Sequence, residues 1–165
     1  MNISYLKIYG ENDSKKLIFL PYEGGSNYYK SLKNALEKGF HQYIISSEKM
    51  INVLSKFFDE KKVQVVNVEL YMTDEYLEKK IDSLIKSINR NEREFDDLLD
   101  ELKFISDEES IDIEKVKFKS IESPYFTIEI YINGNVIINL SRGVETPDEV
   151  LSALKGRLLN YIENK

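Results

Sequence analysis

Cysteine and tryptophan are missing from this 165-residue chain, and histidine occurs once, at His41. Without cysteine there is no disulfide framework, thiol nucleophile or thiolate metal site, which suits a reducing compartment. One histidine with no Asp, Ser or second His in a recognisable pattern reads as structural or solvated, and no zinc-type ligand spacing exists. No apolar run approaches the ~20 residues that span a bilayer, so no membrane association is expected. The N-terminal residues Met1–Tyr9 lack the basic start and long apolar run of a signal peptide, and a cytoplasmic protein is expected. No internal repeat, low-complexity tract or linker stands out.

Positive charge is scarce in one long stretch. Between Glu92 and Glu114 lie eleven acids, namely Glu92, Glu94, Asp96, Asp97, Asp100, Glu101, Asp107, Glu108, Glu109, Asp112 and Glu114. Only Arg93 and Lys103 oppose them, so the stretch carries −9 of a total of −6 and the rest of the chain is +3. Such a face repels phosphate, so no duplex nucleic acid docks there, and it suits a basic protein.

Hydrophobic content of 42% and charged content of 32% are those of a globular chain. At this length one domain, 1–165, is the default, with sub-lobes 1–72 and 115–165 on either side of a helical segment. That segment, 73–105, organises the pattern. Leu77, Ile81, Leu84, Ile88, Phe95, Leu98, Leu102 and Ile105 form a heptad seam interrupted at Asn91. Thr73 is a candidate N-cap. A continuous helix of this length would run roughly 50 Å. Its seam either packs on the chain's own sheet or pairs with another chain as a coiled-coil homodimer, and the helix either projects or bends near Asn89–Asn91, where polar side chains compete for backbone bonds. A continuous or gently bent helix is the first expectation, and a helical hairpin the alternative.

The flanks read as strands and helices. Residues 1–72 give β-β-α-β-α-β: strands at Ile3–Tyr9, Leu17–Leu20, Phe40–Ile45 and Val63–Met72, with helices from about Asn27 to Lys38 and from Ser46 or Ser47 to Glu60. Val63–Met72 has apolar residues of both parities, which suggests an interior strand. Lys61-Lys62 is a charged turn. After a polar loop, Val116–Ile121 precedes a hairpin of Tyr125–Ile132 and Val136–Leu140. A three-residue loop, Asn133–Asn135, pairs Ile130 with Ile138 and keeps the apolar set on one face. Thr146-Pro147-Asp148-Glu149 starts a C-terminal helix, whose interior Gly156 implies a close helix–sheet approach. The expected class is α+β: a mixed or antiparallel sheet with helices packed on it and the long central helix.

Gly24-Gly25-Ser26 precedes a helix and is the one candidate anion cradle. No Walker lysine or dinucleotide glycine pattern accompanies it, and a plain loop capped by Ser26 is the stronger reading. Asp96-Asp97 with Glu101-x-Lys103 has the residue types of a metal-dependent hydrolase but lies on a predicted helix, so no metal site, catalytic residue or cofactor is assigned. The expected function is a non-enzymatic protein-binding module. Its partner-binding residues are Glu92, Glu94, Asp96, Asp97, Asp100, Glu101, Asp107, Glu108 and Glu109, offered to a basic partner by an inhibitor or immunity-type protein or by an accessory subunit of a nucleic-acid-handling complex. The alternatives are a nucleotide- or metal-dependent enzyme or sensor built on Gly24, Gly25 and Ser26, and a module that self-associates through the 73–105 helix.

Overall fold

Alternating apolar residues on six strands generate one buried sheet face. The computed structural model describes residues 2–60, 63–71, 74–109 and 111–163. Its elements are β1 (Asn2–Glu11), β2 (Leu17–Pro21), α1 (Ser26–Glu37), β3 (Phe40–Gln42), α2 (Ser47–Asp59), β4 (Val63–Leu70), α3 (Glu75–Arg90), α4 (Phe95–Asp107), β5 (Ile113–Ser120), β6 (Phe126–Tyr131), β7 (Asn135–Leu140) and α5 (Pro147–Glu163). Every strand pairing is antiparallel, in the order β2-β1-β7-β6-β5-β4, with β3 paired to β1. The chain is therefore α+β, as its pattern predicts. Because β1 pairs with β7 and β4 with β5, strands from both sides of the helical segment share one sheet.

One face carries Leu6, Ile8, Val65, Val68, Val116, Phe118, Ile128, Ile130, Val136 and Ile138, all buried in the core that α2, α3 and α5 cover, with α4 packed on α2 and α3. Three of the predicted β-elements needed correction. β4 lies at the sheet edge, not its interior. A bulge between Val65 and Asn67 resets its alternation, so Val63, Val65, Val68 and Leu70 all reach the core while Val66 turns outward. Asn89 of α3 donates to the Val65 carbonyl at 3.0 Å and covers this edge locally. In the β6–β7 hairpin Ile130 pairs with Val136 and Ile128 with Ile138, two residues away from the expected register. The predicted face survives because a shift of two preserves parity. Ile132 leaves the hairpin: its N–H donates to the Glu114 carbonyl, and its own carbonyl accepts from Ile45. β3 is also shorter than the pattern suggests.

The long helix is a hairpin, not a projecting rod. Asn91 is extended, with φ −141° and ψ 101°, and separates α3 from a single 3-10 turn, Glu92–Glu94, that leads into α4. Its amide donates to the Ser87 carbonyl at 2.8 Å, and its side chain accepts from Arg93 at 3.2 Å. One polar side chain thus ends one helix and caps the next turn. Phe95 stacks on Phe58 of α2 with ring centroids 3.7 Å apart and fastens the bend. The coiled-coil expectation fails for a simple reason. Leu77, Ile81, Ile88, Phe95, Leu98, Leu102 and Ile105 are buried in the chain's own core, joined by Ile85, while Leu84 is half-buried. Most of that seam is therefore consumed within one chain.

Side-chain caps open α2 and α3. Ser46 accepts from Lys49 and opens α2, and Asp74 accepts from Leu77 at 3.1 Å and opens α3. The expected Thr73 cap, the Lys61-Lys62 turn and Met72 lie outside the described residues. α5 begins at Pro147 as its start signal predicts. Gly156 is exposed with nothing within 4 Å of a built Cβ, so the close approach invoked for it is absent.

Candidate functional site

Two surfaces carry the chemistry, and they lie on opposite sides of the sheet. The first is the outer side of the α3–α4 hairpin. With the seam turned inward, Glu92, Asp96, Asp97, Asp100, Asp107, Glu108 and Glu109 are exposed, and Glu94 and Glu101 are half-buried. Asp96 and Asp97 occupy the first turn of α4, where the helix dipole favours them. Glu101 meets Lys80 of α3 at 3.0 Å, and its hydrogen bond holds the Lys80 ammonium above the usual lysine range. Among the described residues no other of the nine predicted partner-binding acids has an ion pair. The Lys80–Glu101 bridge fixes the hairpin register, and Tyr76 and Phe104 each lie about one turn from it, 72% and 50% exposed. The hairpin thus carries both exposed acids and exposed aromatic rings.

Gly24, Gly25 and Ser26 are also exposed, at the start of α1. The cap is Gly25, with φ 69°, and no side chain caps the helix, so the expected Ser26 cap is corrected: Ser26 is the first helical residue. Asp96, Asp97 and Glu101 do not converge, because the first two face solvent and the third is bridged to Lys80. Among the described residues no three His, Asp or Glu side chains assemble as a metal-ion site. His41 is exposed, with Nδ1 2.9 Å from Asn12 Oδ1, and its ring occupies the space above Gly10. A cleft of about 570 Å³ opens between α2, α4 and α5, lined by Glu48, Lys49, Ser55, Lys103 and Asp107 among others. At its rim Lys49 and Asn52 donate to the Ile162 and Tyr161 carbonyls at 2.7 and 2.9 Å, which ties α5 to α2. Glu60 strengthens that tie by accepting from both Arg157 and Tyr161.

The second surface was not visible in the sequence pattern as a site. Alternation places Lys7 of β1 on the face of Tyr5 and Tyr9, away from the helices. Tyr5 is exposed there, but Lys7 and Tyr9 are both buried. Its ammonium donates to the Asn133 carbonyl and to Asn135 Oδ1 (3.3 Å), beneath the Tyr28 ring of α1 with 5.9 Å to its centroid. Tyr28 O–H donates to the same Asn135 Oδ1 at 3.2 Å. Tyr5, Tyr22, Tyr28 and Tyr29 continue outward as a chain of edge-to-face rings at 5.9, 5.2 and 5.6 Å. Burial, with Tyr28, Tyr131, Tyr5 and Glu129 nearby, pushes the Tyr22 phenol above its ordinary range.

Burial without a carboxylate lowers the Lys7 ammonium to about 8 from 10.5. The unfolded chain then holds a proton between pH 8 and 10.5 that the folded chain has released. Stability must rise with pH across that window, and the full penalty applies below it. Relative to Lys7→Met, the wild type is expected to gain roughly 2 kcal/mol between pH 7 and 10. Urea titrations of both proteins at each pH check this, and parallel pH profiles would contradict it.

No protein-family model, curated protein or solved structure matches this chain.

Proposed function

We propose that the chain is a protein-binding module that captures a basic partner on the outer edge of the α3–α4 hairpin, as an inhibitor or immunity-type protein does, or as an accessory subunit does. The observation that supports this is the disposition of the acids. The apolar seam is consumed internally, yet of the nine carboxylates predicted to bind, only Glu101 is bridged by a lysine of the chain itself among the described residues. Unneutralised charge of one sign raises encounter rates with an opposite surface and excludes partners of like charge. Tyr76 and Phe104 supply the aromatic anchors that a purely ionic contact lacks.

The test is paired affinity capture at low salt with wild type and a reversed variant, Asp100→Lys, Asp107→Lys, Glu108→Lys and Glu109→Lys. Asp96 and Asp97 are left in place because they stabilise the start of α4. The four chosen acids are exposed and lie after that first turn, so the variant should melt at or above the wild-type temperature. A basic protein retained by wild type and lost by the variant supports the proposal. Identical capture by both proteins rejects it.

A further inference from the structure

The sheet face opposite the four packed helices is covered only in part, where Tyr28 of α1 lies over Lys7 and Asn135. Strand register aligns Tyr5, Ile137, Glu129 and Lys117 in one row across β1, β7, β6 and β5. With strands about 4.8 Å apart, that row spans roughly 14 Å. Tyr5 is 46% exposed and stands edge-on to Tyr22. Tyr131 lies on the same face, its ring 5.6 Å from the Lys115 ammonium. β5 presents Lys115, Lys117 and Lys119 at alternate positions, so they share this face at a spacing of about 6.6 Å. Glu69 and Glu129 hold Lys115 at 3.1 and 3.5 Å. Lys117 and Lys119 have no ion pair among the described residues. Lys117, Lys119 and these rings thus lie across the sheet from the exposed acids of α4, while Glu114, the last acid of the −9 stretch, sits on β5 near Tyr131.

We propose that this open face binds single-stranded nucleic acid. Bases stack on Tyr5 and the neighbouring rings, and Lys117 and Lys119 meet the phosphates. Stacking platforms beside a line of cations are what an unpaired strand requires, since its bases are free to leave one another for a protein ring. A duplex hides those base faces, so it offers the rings nothing to stack on. A second copy of the chain is the competing occupant of this face, and light scattering separates it from a nucleic acid. The proposal is independent of the acidic edge, which lies on the other side of the molecule.

The test is fluorescence anisotropy with a labelled oligo-dT or oligo-U of about fifteen nucleotides, against a duplex of equal length, at several low salt concentrations. The absence of tryptophan lets quenching of tyrosine emission report stacking directly. Single strands should bind, and the duplex should bind more weakly. Tyr5→Ala should weaken binding about tenfold while Tyr5→Phe retains it. Lys117→Gln with Lys119→Gln should make the log–log salt slope shallower by about 1.4. Circular dichroism melts verify that each variant is folded. Absence of binding at low salt overturns the proposal. So do equal affinity for duplex, affinity and slope unchanged in the variants, and light scattering that shows a dimer abolished by Tyr5→Ala.

Discussion

Gly134→Ala is expected to destabilise the protein by about 3 kcal/mol. Two effects combine. Gly134 has φ +88°, in the left-handed region, where a side chain costs about 1–2 kcal/mol. Its Cβ position also lies 2.6 Å from the Tyr43 carbonyl oxygen and 3.3 Å from that of Ile8. Both neighbours are backbone, so neither rotates away. The Gly134 carbonyl meanwhile accepts from Ile8 N–H at 2.9 Å, so any retreat of the loop breaks a bond that seats it on β1. The same loop supplies the Asn133 carbonyl to Lys7. Denaturant titration at pH 7 measures the loss. An alanine variant within 0.5 kcal/mol of wild type would show that the loop is not held as described.

Leu102→Ala is expected to cost about 3 kcal/mol, and the loss should not depend on protein concentration. Leu102 is fully buried at the middle of α4 in the single hydrophobic cluster, so its removal leaves a cavity inside one chain. Were the seam an interface between copies, melting would shift with concentration and the variant would steepen that shift. Thermal melts across a hundredfold range of concentration separate the two cases.

These two residues also show what the sequence makes legible. Leu102 belongs to a periodic stripe, and periodicity alone marks it as interior. Whether the stripe faces another chain or its own sheet is decided by Asn91, whose side chain ends α3 and caps the turn before α4. The polar stretch around it advertises a bend without compelling one, because no glycine or proline is present there. The hairpin faces were readable from parity, but the register was not. Ile132 is drawn off by Glu114 and Ile45, which are distant in the chain. In β4 the bulge at Val65 and Asn67 mimics the pattern of an interior strand. The acids were plain in the sequence, and their exposure follows from the inward stripe. Lys7 was hidden, since a lysine that alternates with tyrosines on an outer face reads as surface until Tyr28 is seen above it. The open face has the same origin. Tyr5, Tyr22, Tyr131 and Lys117 come from four separate strands or loops, and only strand order assembles them.

The most direct measurement of the central claim is the association rate of the captured partner as a function of ionic strength, for wild type and for the four-residue reversed variant. If the α3–α4 edge is the docking face, the wild-type rate falls at least about tenfold from low to high salt, and the reversed variant associates slowly at every salt concentration. A rate indifferent to salt, or equal for the two proteins, would mean that the carboxylates are ordinary solvated surface.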